Sequence, residues 1–360
     1  MRDEKQMEEN SMELKPISQQ VVVVMGASSG IGRVTALRFA QLGAKVVAAA
    51  RSEDGLRTLV DEIRRAGGSA DYKVADVVDF NQVQALADHA ARAFGRIDTW
   101  VHVAAVSLYA TVEQTTPEEF EQIIRINLQG QFHGAKAALP YLKRQGGALI
   151  MISSVEGVRA FPFQSAYAAS KHGVIALADT LRSELEHAHI PVSVTTIMPP
   201  GVNTPLFNKA RTKIGVKPMP APPIYQPDVI ADAILHAAEH PTRDIAVTAF
   251  GKALVGSQRL SPHLTDALVQ GIGFSGQKTD EPKSAAAPDN LYGPISGYNK
   301  IEGDFSKMAI GHGKYRGREN QPGGPGLGVA LVGAVLGGAL FLATQRSQRE
   351  PQDGQSTTRE

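Results

Sequence analysis

The sequence predicts an α/β fold, in which a doubly wound parallel sheet of about seven strands is covered by helices on both faces. Short apolar runs alternate with helical patterns along the chain, as expected for repeated strand–helix units. The first apolar run contains four consecutive valines at 21–24, which is typical of a strand buried on both faces. The 360 residues suffice for one large domain with appendages, or for two small domains.

Each element of this fold follows from a local pattern. Seven segments are rich in Val, Ile and Ala, and helical periodicity separates most of them. Pro117 suits the first turn of its helix, and no repeat of 20–50 residues is visible. The predicted strands lie at 21–24, 45–50, 70–75, 98–104, 148–153, 192–197 and 245–248, and the predicted helices at 34–42, 53–66, 81–94, 117–142 and 165–186.

Charge and cysteine content limit the possible functions. The chain has 37 basic and 36 acidic residues, a net charge of +1, so we expect no nucleic-acid partner. It contains no cysteine, which excludes disulfides, thiolate metal sites and cysteine nucleophiles and is consistent with a cytosolic catalytic domain. We expect no bound metal. The polar N-terminus lacks the apolar segment of a secretory signal.

A glycine-rich turn joins the first strand to the first helix. The sequence GASSGIG at 26–32 places glycines where a tight turn and close approach to a pyrophosphate need them. The N-terminus of the following helix directs free backbone N–H groups towards a phosphate. In this context we predict a dinucleotide-binding loop. The alternative is an ordinary strand–helix turn that contains three glycines.

Ser154, Tyr167 and Lys171 form a candidate catalytic group. Tyr167 and Lys171 are four residues apart on a predicted helix and so share one face. An ammonium group close to a phenol favours the phenolate, which predicts a lowered pKa for Tyr167. Ser154 follows the fifth strand, at the sheet edge where α/β proteins bind ligands. Taken singly, the three residues could equally be a helix-surface pair and a strand-end cap.

The C-terminal third of the chain differs in composition. The proline-rich stretch 204–228 is predicted to be a loop that forms a lid or substrate wall. Residues 271–325 are rich in Gly, Pro, Ser, Lys and Asn and are predicted to be a linker. The resulting prediction is a polar tail at 1–17, a catalytic domain at 18–270, the linker, a membrane helix at 326–344 and a polar tail at 345–360.

The membrane helix is predicted from an uncharged segment, GLGVALVGAVLGGALFLA at 326–343. As a helix it would be about 27 Å long, close to the hydrocarbon thickness of about 30 Å. Small residues four apart would allow two such helices to pack closely. The alternative is a buried helix of a soluble domain. Basic residues flank both ends, so the positive-inside rule decides orientation only weakly; the need for coenzyme places the catalytic domain on the cytoplasmic face.

From 18 to 250 the chain resembles the short-chain dehydrogenase/reductase family. The resemblance is carried by GASSGIG, by Asn127 within INL, by Ser154 within ISS, by YAASK at 167–171 and by PGVNTP at 200–205. It implies a Rossmann-type fold and hydride transfer between a carbonyl or alcohol and a nicotinamide coenzyme. Family members often form dimers or tetramers, so a homo-oligomer is expected.

The resemblance also implies residue roles. Tyr167 would be the general acid or base, Lys171 would lower its pKa and bind the nicotinamide ribose, Ser154 would orient the substrate oxygen, and Asn127 would hold a water in a proton relay. For Asn127 the residues themselves suggest only local packing. The coenzyme-binding residues implied are Gly26, Ser28, Ser29, Gly30, Ile31, Gly32, Arg51, Asp76, Val77, Tyr167, Lys171, Pro200, Gly201 and Thr204.

Coenzyme choice depends on the end of the second strand, where a carboxylate would bind the ribose of NAD. This chain has Arg51 there, and a guanidinium can bind a 2′-phosphate, so we predict NADP and consider NAD less favoured; an exposed surface arginine is the alternative. Two positions depart from the family: Met25 replaces Thr, and HVAA at 102–105 replaces Asn-Asn-Ala-Gly. His102 is predicted to replace a structural Asn rather than to act as a ligand or acid.

The sequence therefore predicts an NADP-dependent, membrane-anchored oxidoreductase that interconverts a carbonyl and an alcohol. Anchoring suggests a lipophilic small-molecule substrate. Two alternatives remain: an NAD-preferring alcohol dehydrogenase, and a membrane-tethered coenzyme-binding scaffold with little catalysis. The intact set Asn127, Ser154, Tyr167 and Lys171 favours an enzyme, because a scaffold would not require it.

Overall fold

A computed structural model describes residues 12–311 and contains a seven-stranded parallel sheet. Its strand order is β7-β6-β5-β4-β1-β2-β3, and all six pairings are parallel. The order reverses beside β1, which opens a crevice at the carboxyl ends of β1 and β4. The strands are β1 (Val21–Met25), β2 (Lys45–Ala50), β3 (Ser69–Val74), β4 (Thr99–His102), β5 (Gly147–Ile152), β6 (Val192–Met198) and β7 (Asp244–Ala246).

Helices cover both faces of the sheet. Val22 and Val24 point into one apolar cluster, and Val23 and Met25 point into the other. All four are fully buried, as the valine run predicted. On the first face lie Gly30–Gln41, Glu53–Arg65 and Pro227–Glu239; on the second lie Phe80–Phe94, Pro117–Ile124, Gly130–Leu142 and Ser165–His187; the remaining helices are Leu206–Lys209, Thr248–Leu260 and Pro262–Ile272.

The predicted helix 117–142 is interrupted in its middle. It consists of Pro117–Ile124 and Gly130–Leu142, separated by a π-helical turn, Arg125–Gln129. Thr116 caps its start: its hydroxyl accepts a hydrogen bond from the N–H of Glu119, and the Glu119 carboxylate accepts one from the N–H of Thr116. This capping box explains why the helix begins at the predicted proline.

Residues 271–311, the first part of the predicted linker, contain local structure that packs against the domain. Residues 278–311, here called the return segment, fold back over the carboxyl edge of the sheet. Within it, Lys278–Pro282 pairs with Val216–Pro218, and Ala309–Ile310 pairs with Ile224–Tyr225. Leu291 is fully buried in the second apolar cluster. A few apolar side chains and many backbone hydrogen bonds thus hold a stretch whose composition resembled a linker.

The end of the predicted N-terminal tail is also part of the domain. Ile17 is buried and belongs to the first apolar cluster. Lys15 forms an ion pair of 2.6 Å with Asp98, whose other carboxylate oxygen accepts a hydrogen bond from the N–H of Val21. The membrane helix predicted at 326–344 lies outside the described residues, as does the tail at 345–360. Within residues 12–311, no helix is both long and apolar enough to cross a bilayer.

Candidate active site

A cavity lies in the crevice at the carboxyl ends of the strands. It is bordered by the glycine-rich turn, the ends of the central strands, the loop after β6 and the return segment. Most of the residues predicted to bind coenzyme or to catalyse border it. They are Gly26, Ser28, Ser29, Gly30, Ile31, Arg51, Asp76, Val77, Ser154, Tyr167, Lys171, Pro200, Gly201 and Thr204. Gly32 and Asn127 are the predicted residues that do not border it.

The glycine-rich turn has a conformation that side chains would block. Gly26 has a φ of +95°, and a Cβ there would lie 2.5 Å from the backbone nitrogen of Ala104. Gly30 also has a positive φ, +59°. A Cβ on Gly32 would lie 2.2 Å from the carbonyl oxygen of Gly26. Gly32 therefore allows the helix to pack against the turn, and it shapes the cavity without facing it.

Ser154, Tyr167 and Lys171 converge as predicted. Ser154 precedes the 3₁₀ turn Val155–Gly157 after β5, and its hydroxyl is near enough to the phenol of Tyr167 to lower the pKa of that phenol. Lys171 is one helical turn after Tyr167, and its Nζ lies 5.4 Å from the centroid of the Tyr167 ring. Nζ donates a hydrogen bond of 2.9 Å to the carbonyl of Ile152. The end of β5 and the helix Ser165–His187 thus bring a hydroxyl, a phenol and an ammonium together.

The expected lowering of the Tyr167 pKa is wrong for this structure. Burial raises the pKa of Tyr167, the negative charge of Glu156 raises it further, and the Ser154 hydroxyl opposes them. Burial also lowers the pKa of Lys171 to about 8, partly offset by Glu156. The pKa of Tyr167 is therefore set by desolvation and not by the ammonium that the helical spacing places nearby. Tyr167 is consequently a protonated phenol at neutral pH, the form that can donate a proton.

Asn127 lies in the π-helical turn and is fully buried. Its Oδ1 accepts a hydrogen bond of 2.9 Å from the N–H of Val106, and its Nδ2 donates one of 2.9 Å to the carbonyl of Val106. A weaker bond of 3.3 Å reaches the hydroxyl of Ser170. The side chain therefore fixes the loop after β4 instead of facing the cavity, and the proton-relay role stays a prediction.

Arg51 and Lys209 form a pair of cations, here called the cation pair, beside the glycine-rich turn. Arg51 donates a hydrogen bond of 2.8 Å to the carbonyl of Asn290, and Lys209 donates one of 2.8 Å to the hydroxyl of Ser29. Burial followed by the charge of Arg51 lowers the pKa of Lys209 to about 8. Burial also lowers the pKa of Arg51, against a smaller opposite effect of Asp76. Neither cation forms an ion pair within residues 12–311, so both are available to an anion.

The return segment completes the cavity wall, which the sequence did not reveal. Asn290, Pro294, Ile295 and Asn299 border the cavity. The carbonyl of Lys300 accepts a hydrogen bond of 2.9 Å from the N–H of Gly30, the first residue of the helix Gly30–Gln41. Backbone groups make most of these contacts, so no side-chain motif marks them.

These residues fit a dinucleotide with phosphate groups. Glycines of the turn leave room where a pyrophosphate must approach, and beside them stand two cations that form no ion pair within residues 12–311. The side-chain Oδ1 of Asn290 is buried without a hydrogen-bond partner within residues 12–311. A buried acceptor of this kind is costly unless a ligand supplies a donor, and ribose hydroxyls and the adenine amino group are donors.

The departures at 102–105 affect the core and the cavity differently. The ring of His102 is buried, neither of its nitrogens has a hydrogen-bond partner within the described chain, and burial lowers its pKa to about 3. A Cβ on Gly134 would lie 2.4 Å from its Nδ1, so the ring packs against a glycine. His102 is structural, as expected, whereas Ala104 and Ala105 border the cavity.

Comparison with known proteins agrees with this geometry. A family model described as short chain dehydrogenase matches residues 20–215. An uncharacterized oxidoreductase of Bacillus subtilis, YxnA, is 39% identical over 284 residues, which cover 78% of this chain and 80% of that protein.

Two solved structures show the same fold with coenzymes bound. An alcohol dehydrogenase from the archaeon Thermococcus sibiricus, complexed with 5-hydroxy-NADP, is 27% identical with a TM-score of 0.56, covering 63% of this chain and 94% of that one. A short chain dehydrogenase/reductase from Burkholderia phymatum, in complex with NAD, is 25% identical with a TM-score of 0.64, covering 70% and 96%. The two neighbours thus hold different coenzymes.

Proposed function

The chain belongs to the short-chain dehydrogenase family and is an oxidoreductase acting on alcohol or carbonyl groups with a nicotinamide dinucleotide; we propose that it uses NADP to interconvert a lipophilic ketone and its alcohol. The observation that carries the coenzyme assignment is the cation pair. A 2′-phosphate adds negative charge at the adenosine end, and two cations that form no ion pair in the described part of the chain would provide a binding site for it.

The chain's own residues divide the binding of the coenzyme between them. The glycine-rich turn would hold the pyrophosphate at the helix N-terminus, and Lys171 would hold the nicotinamide ribose. Asn290 offers a buried acceptor. When bound, the coenzyme supplies or accepts the hydride, and the protein contributes orientation and electrostatics.

Tyr167 would supply the proton. In the reductive direction the carbonyl carbon gains a hydride and the oxygen gains the phenolic proton, which yields the alcohol. The raised pKa keeps Tyr167 protonated at neutral pH, so the structure of the free protein favours proton donation. Ser154, whose hydroxyl acts on the pKa of the phenol, would orient the substrate oxygen towards Tyr167. Positioned general acids of this type contribute roughly 10²–10⁴-fold to rate.

The lipophilic character of the substrate is inferred from the cavity wall on the side of Tyr167. Aromatic and aliphatic side chains from four parts of the chain border it, namely Val106, Tyr109, Phe161, Leu206, Phe207 and Phe250. Such a wall favours an apolar substrate body, since burying apolar surface stabilises binding by about 25 cal/mol per Å². Residues 206 and 207 come from the stretch that we predicted to be a substrate wall.

Attachment to a membrane through residues 326–344, with the catalytic domain on the cytoplasmic face, is a further part of the proposal, as is assembly into a homo-oligomer. The first rests on the apolar sequence and the second on family resemblance. Fractionation of the full chain beside a chain ending at Gly311 tests the first. If the full chain and the shortened chain were both found in the soluble fraction, the membrane attachment would be contradicted.

The coenzyme assignment is tested by measuring dissociation constants of NADPH and NADH, together with coenzyme consumption over a panel of aldehydes, lipid-like ketones and steroid ketones. We expect NADPH to bind at least about tenfold more tightly, by the value of a charge-assisted hydrogen bond, and apolar ketones to react fastest. Tighter binding of NADH would contradict the assignment, and faster turnover of small polar carbonyls would contradict the substrate class.

A further inference from the structure

A buried carboxyl group in the cavity has no part in the chemistry described so far. Glu156 lies in the 3₁₀ turn Val155–Gly157, two residues after Ser154, and its N–H donates a hydrogen bond of 3.1 Å to the Ser154 hydroxyl. It borders the cavity together with Tyr167. Its charge acts on the pKa of both Tyr167 and Lys171. Glu156 is therefore close to the place where the substrate oxygen would bind.

A chain of hydrogen bonds fixes which atoms of this carboxyl are occupied. The amide nitrogen of Gln277 donates to two backbone carbonyls, so its Oε1 is the acceptor. That Oε1 takes a hydrogen bond of 2.6 Å from Nε2 of Gln164, which identifies Nε2 as the donor end of Gln164. Nε2 also donates to Oε1 of Glu156 at 3.0 Å. Oε1 of Glu156 is therefore occupied as an acceptor.

The second oxygen of the carboxyl is left without a partner. Oε2 of Glu156 is buried and makes no hydrogen bond within residues 12–311. Burial raises the pKa of Glu156 to about 8, against opposite effects of Gln164, of Lys171 and of the backbone N–H of Phe161. At neutral pH the group is mostly a neutral acid. Because Oε1 accepts from Gln164, the proton belongs on Oε2, where it lacks an acceptor.

We propose that Glu156 Oε2 binds a second oxygen of the substrate, a hydroxyl or carbonyl on the carbon next to the reacting one. A neutral carboxyl can donate one hydrogen bond to that oxygen and accept another from it. The position two residues after Ser154 places this contact beside the reacting carbonyl. The preferred substrates are then hydroxy ketones or diketones with an apolar body. The inference rests on the proposed reduction of ketones.

A cationic group on the substrate fits this place less well. A neutral Glu156 carries no charge to balance an ammonium, and the ammonium of Lys171 is near enough to act on Glu156. The other side chains that border the cavity include many apolar ones. A neutral oxygen function satisfies Oε2 without adding a charge to the cavity.

The test compares 2-hydroxycyclohexanone with cyclohexanone, a pair that differs in one hydroxyl. The kcat/KM for each ketone is measured with NADPH in the wild-type protein and in the Glu156→Gln and Glu156→Met variants. Glutamine keeps an acceptor for Gln164 and a donor for the substrate, whereas methionine keeps only the size. The ratio of the two constants is informative, because any effect on Tyr167 acts equally on both ketones.

We expect the wild-type protein to prefer the hydroxy ketone by about tenfold or more, the value of one satisfied hydrogen bond in a buried site. Glu156→Gln should keep most of the preference and Glu156→Met should lose it. An equal rate with both ketones in the wild type, or a preference unchanged in Glu156→Met, would overturn the inference.

A binding measurement separates this inference from the proposed function. Saturation-transfer NMR on the full-length protein loaded with NADP⁺ reports the affinity for each ketone without turnover. If no ketone is reduced but the hydroxy ketone binds more tightly in a manner that depends on Glu156, the subsite stands and the proposed reaction fails. Equal binding of both ketones, or a difference that persists in Glu156→Met, overturns the subsite.

Discussion

Arg51 and Asn290 are 239 positions apart in the sequence and are joined by a hydrogen bond of 2.8 Å from the guanidinium to the backbone carbonyl. The N–H of Asn290 donates a second bond, of 3.1 Å, to the carbonyl of Lys209. The backbone of one residue in the return segment thus contacts the Arg51 guanidinium and the backbone of Lys209. The segment that resembled a linker therefore takes part in shaping the proposed coenzyme site.

Replacing Arg51 should weaken NADPH binding selectively. Arg51→Ala removes one member of the cation pair, and we expect the dissociation constant of NADPH to rise by about 10- to 100-fold, the value of a hydrogen bond to a charged group. That of NADH should change little, since it lacks the 2′-phosphate. Arg57→Ala is a matched control, because Arg57 is exposed and forms its ion pair with Asp54, away from the cavity. Equal losses with both coenzymes would assign Arg51 a structural role.

Lys209 should give NADPH binding a dependence on pH. Its pKa is lowered to about 8, so it loses its positive charge as the pH rises through that value. We expect NADPH affinity to fall between about pH 7 and 9, and less steeply in Lys209→Met. Lys171, whose pKa is also about 8, contributes to the pH dependence of the wild-type protein and of Lys209→Met alike. The difference between their two pH profiles therefore isolates the effect of Lys209. Titration calorimetry at several pH values measures it, and parallel pH profiles would contradict this role.

The glycine-rich turn should not tolerate a side chain at its first position. In Gly26→Ala the Cβ would meet the backbone at 2.5 Å, whereas at Gly95, with a similar φ of +84°, nothing lies within 4 Å. Gly95→Ala should therefore lower the free energy of unfolding only by the strain of a left-handed alanine, about 1–2 kcal/mol. Gly26→Ala should lower the unfolding temperature by more. Equal shifts in thermal denaturation would show that the turn can move away.

The return segment should be required for the coenzyme site. A chain ending at Ser284 lacks Leu291, whose burial in the core stabilises the folded state by about 1.5–3 kcal/mol. It also lacks Asn290, which contacts Arg51 and Lys209 of the cation pair. We expect a lower unfolding temperature and an NADPH dissociation constant raised at least about tenfold. A chain ending at Gly311 is the control and should behave like the full chain. NADPH affinity unchanged in the shorter chain would refute the requirement.

Much of the fold could be predicted because local patterns determine it. The valine run of β1 has no polar position, so only a strand buried on both faces accommodates it. Its glycine-rich turn and the Tyr167–Lys171 spacing are equally local. The interruption of the helix at Asn127 was not predictable, because it depends on two hydrogen bonds to Val106, 21 residues away.

The missed part of the site depends on contacts distant in sequence. Asn290 and Lys300 act through backbone carbonyls, which any residue possesses, so their positions carry no signal. Lys209 and Glu156 offered weak signals, as a lysine shortly after PGVNTP and an acid two residues after Ser154. The pKa of Tyr167 was predicted in the wrong direction because burial, which dominates that pKa, cannot be read from spacing.

The most direct test of the account is the replacement of the proposed proton donor. Tyr167→Phe keeps the ring and removes only the hydroxyl, and Tyr292→Phe, at an exposed tyrosine, is the control. With the ketone that the wild-type protein reduces fastest, we expect kcat to fall by about 10²–10⁴-fold in Tyr167→Phe while the NADPH dissociation constant and the control variant stay near wild type. A kcat for Tyr167→Phe within a few-fold of wild type would contradict the assignment of Tyr167 as the general acid.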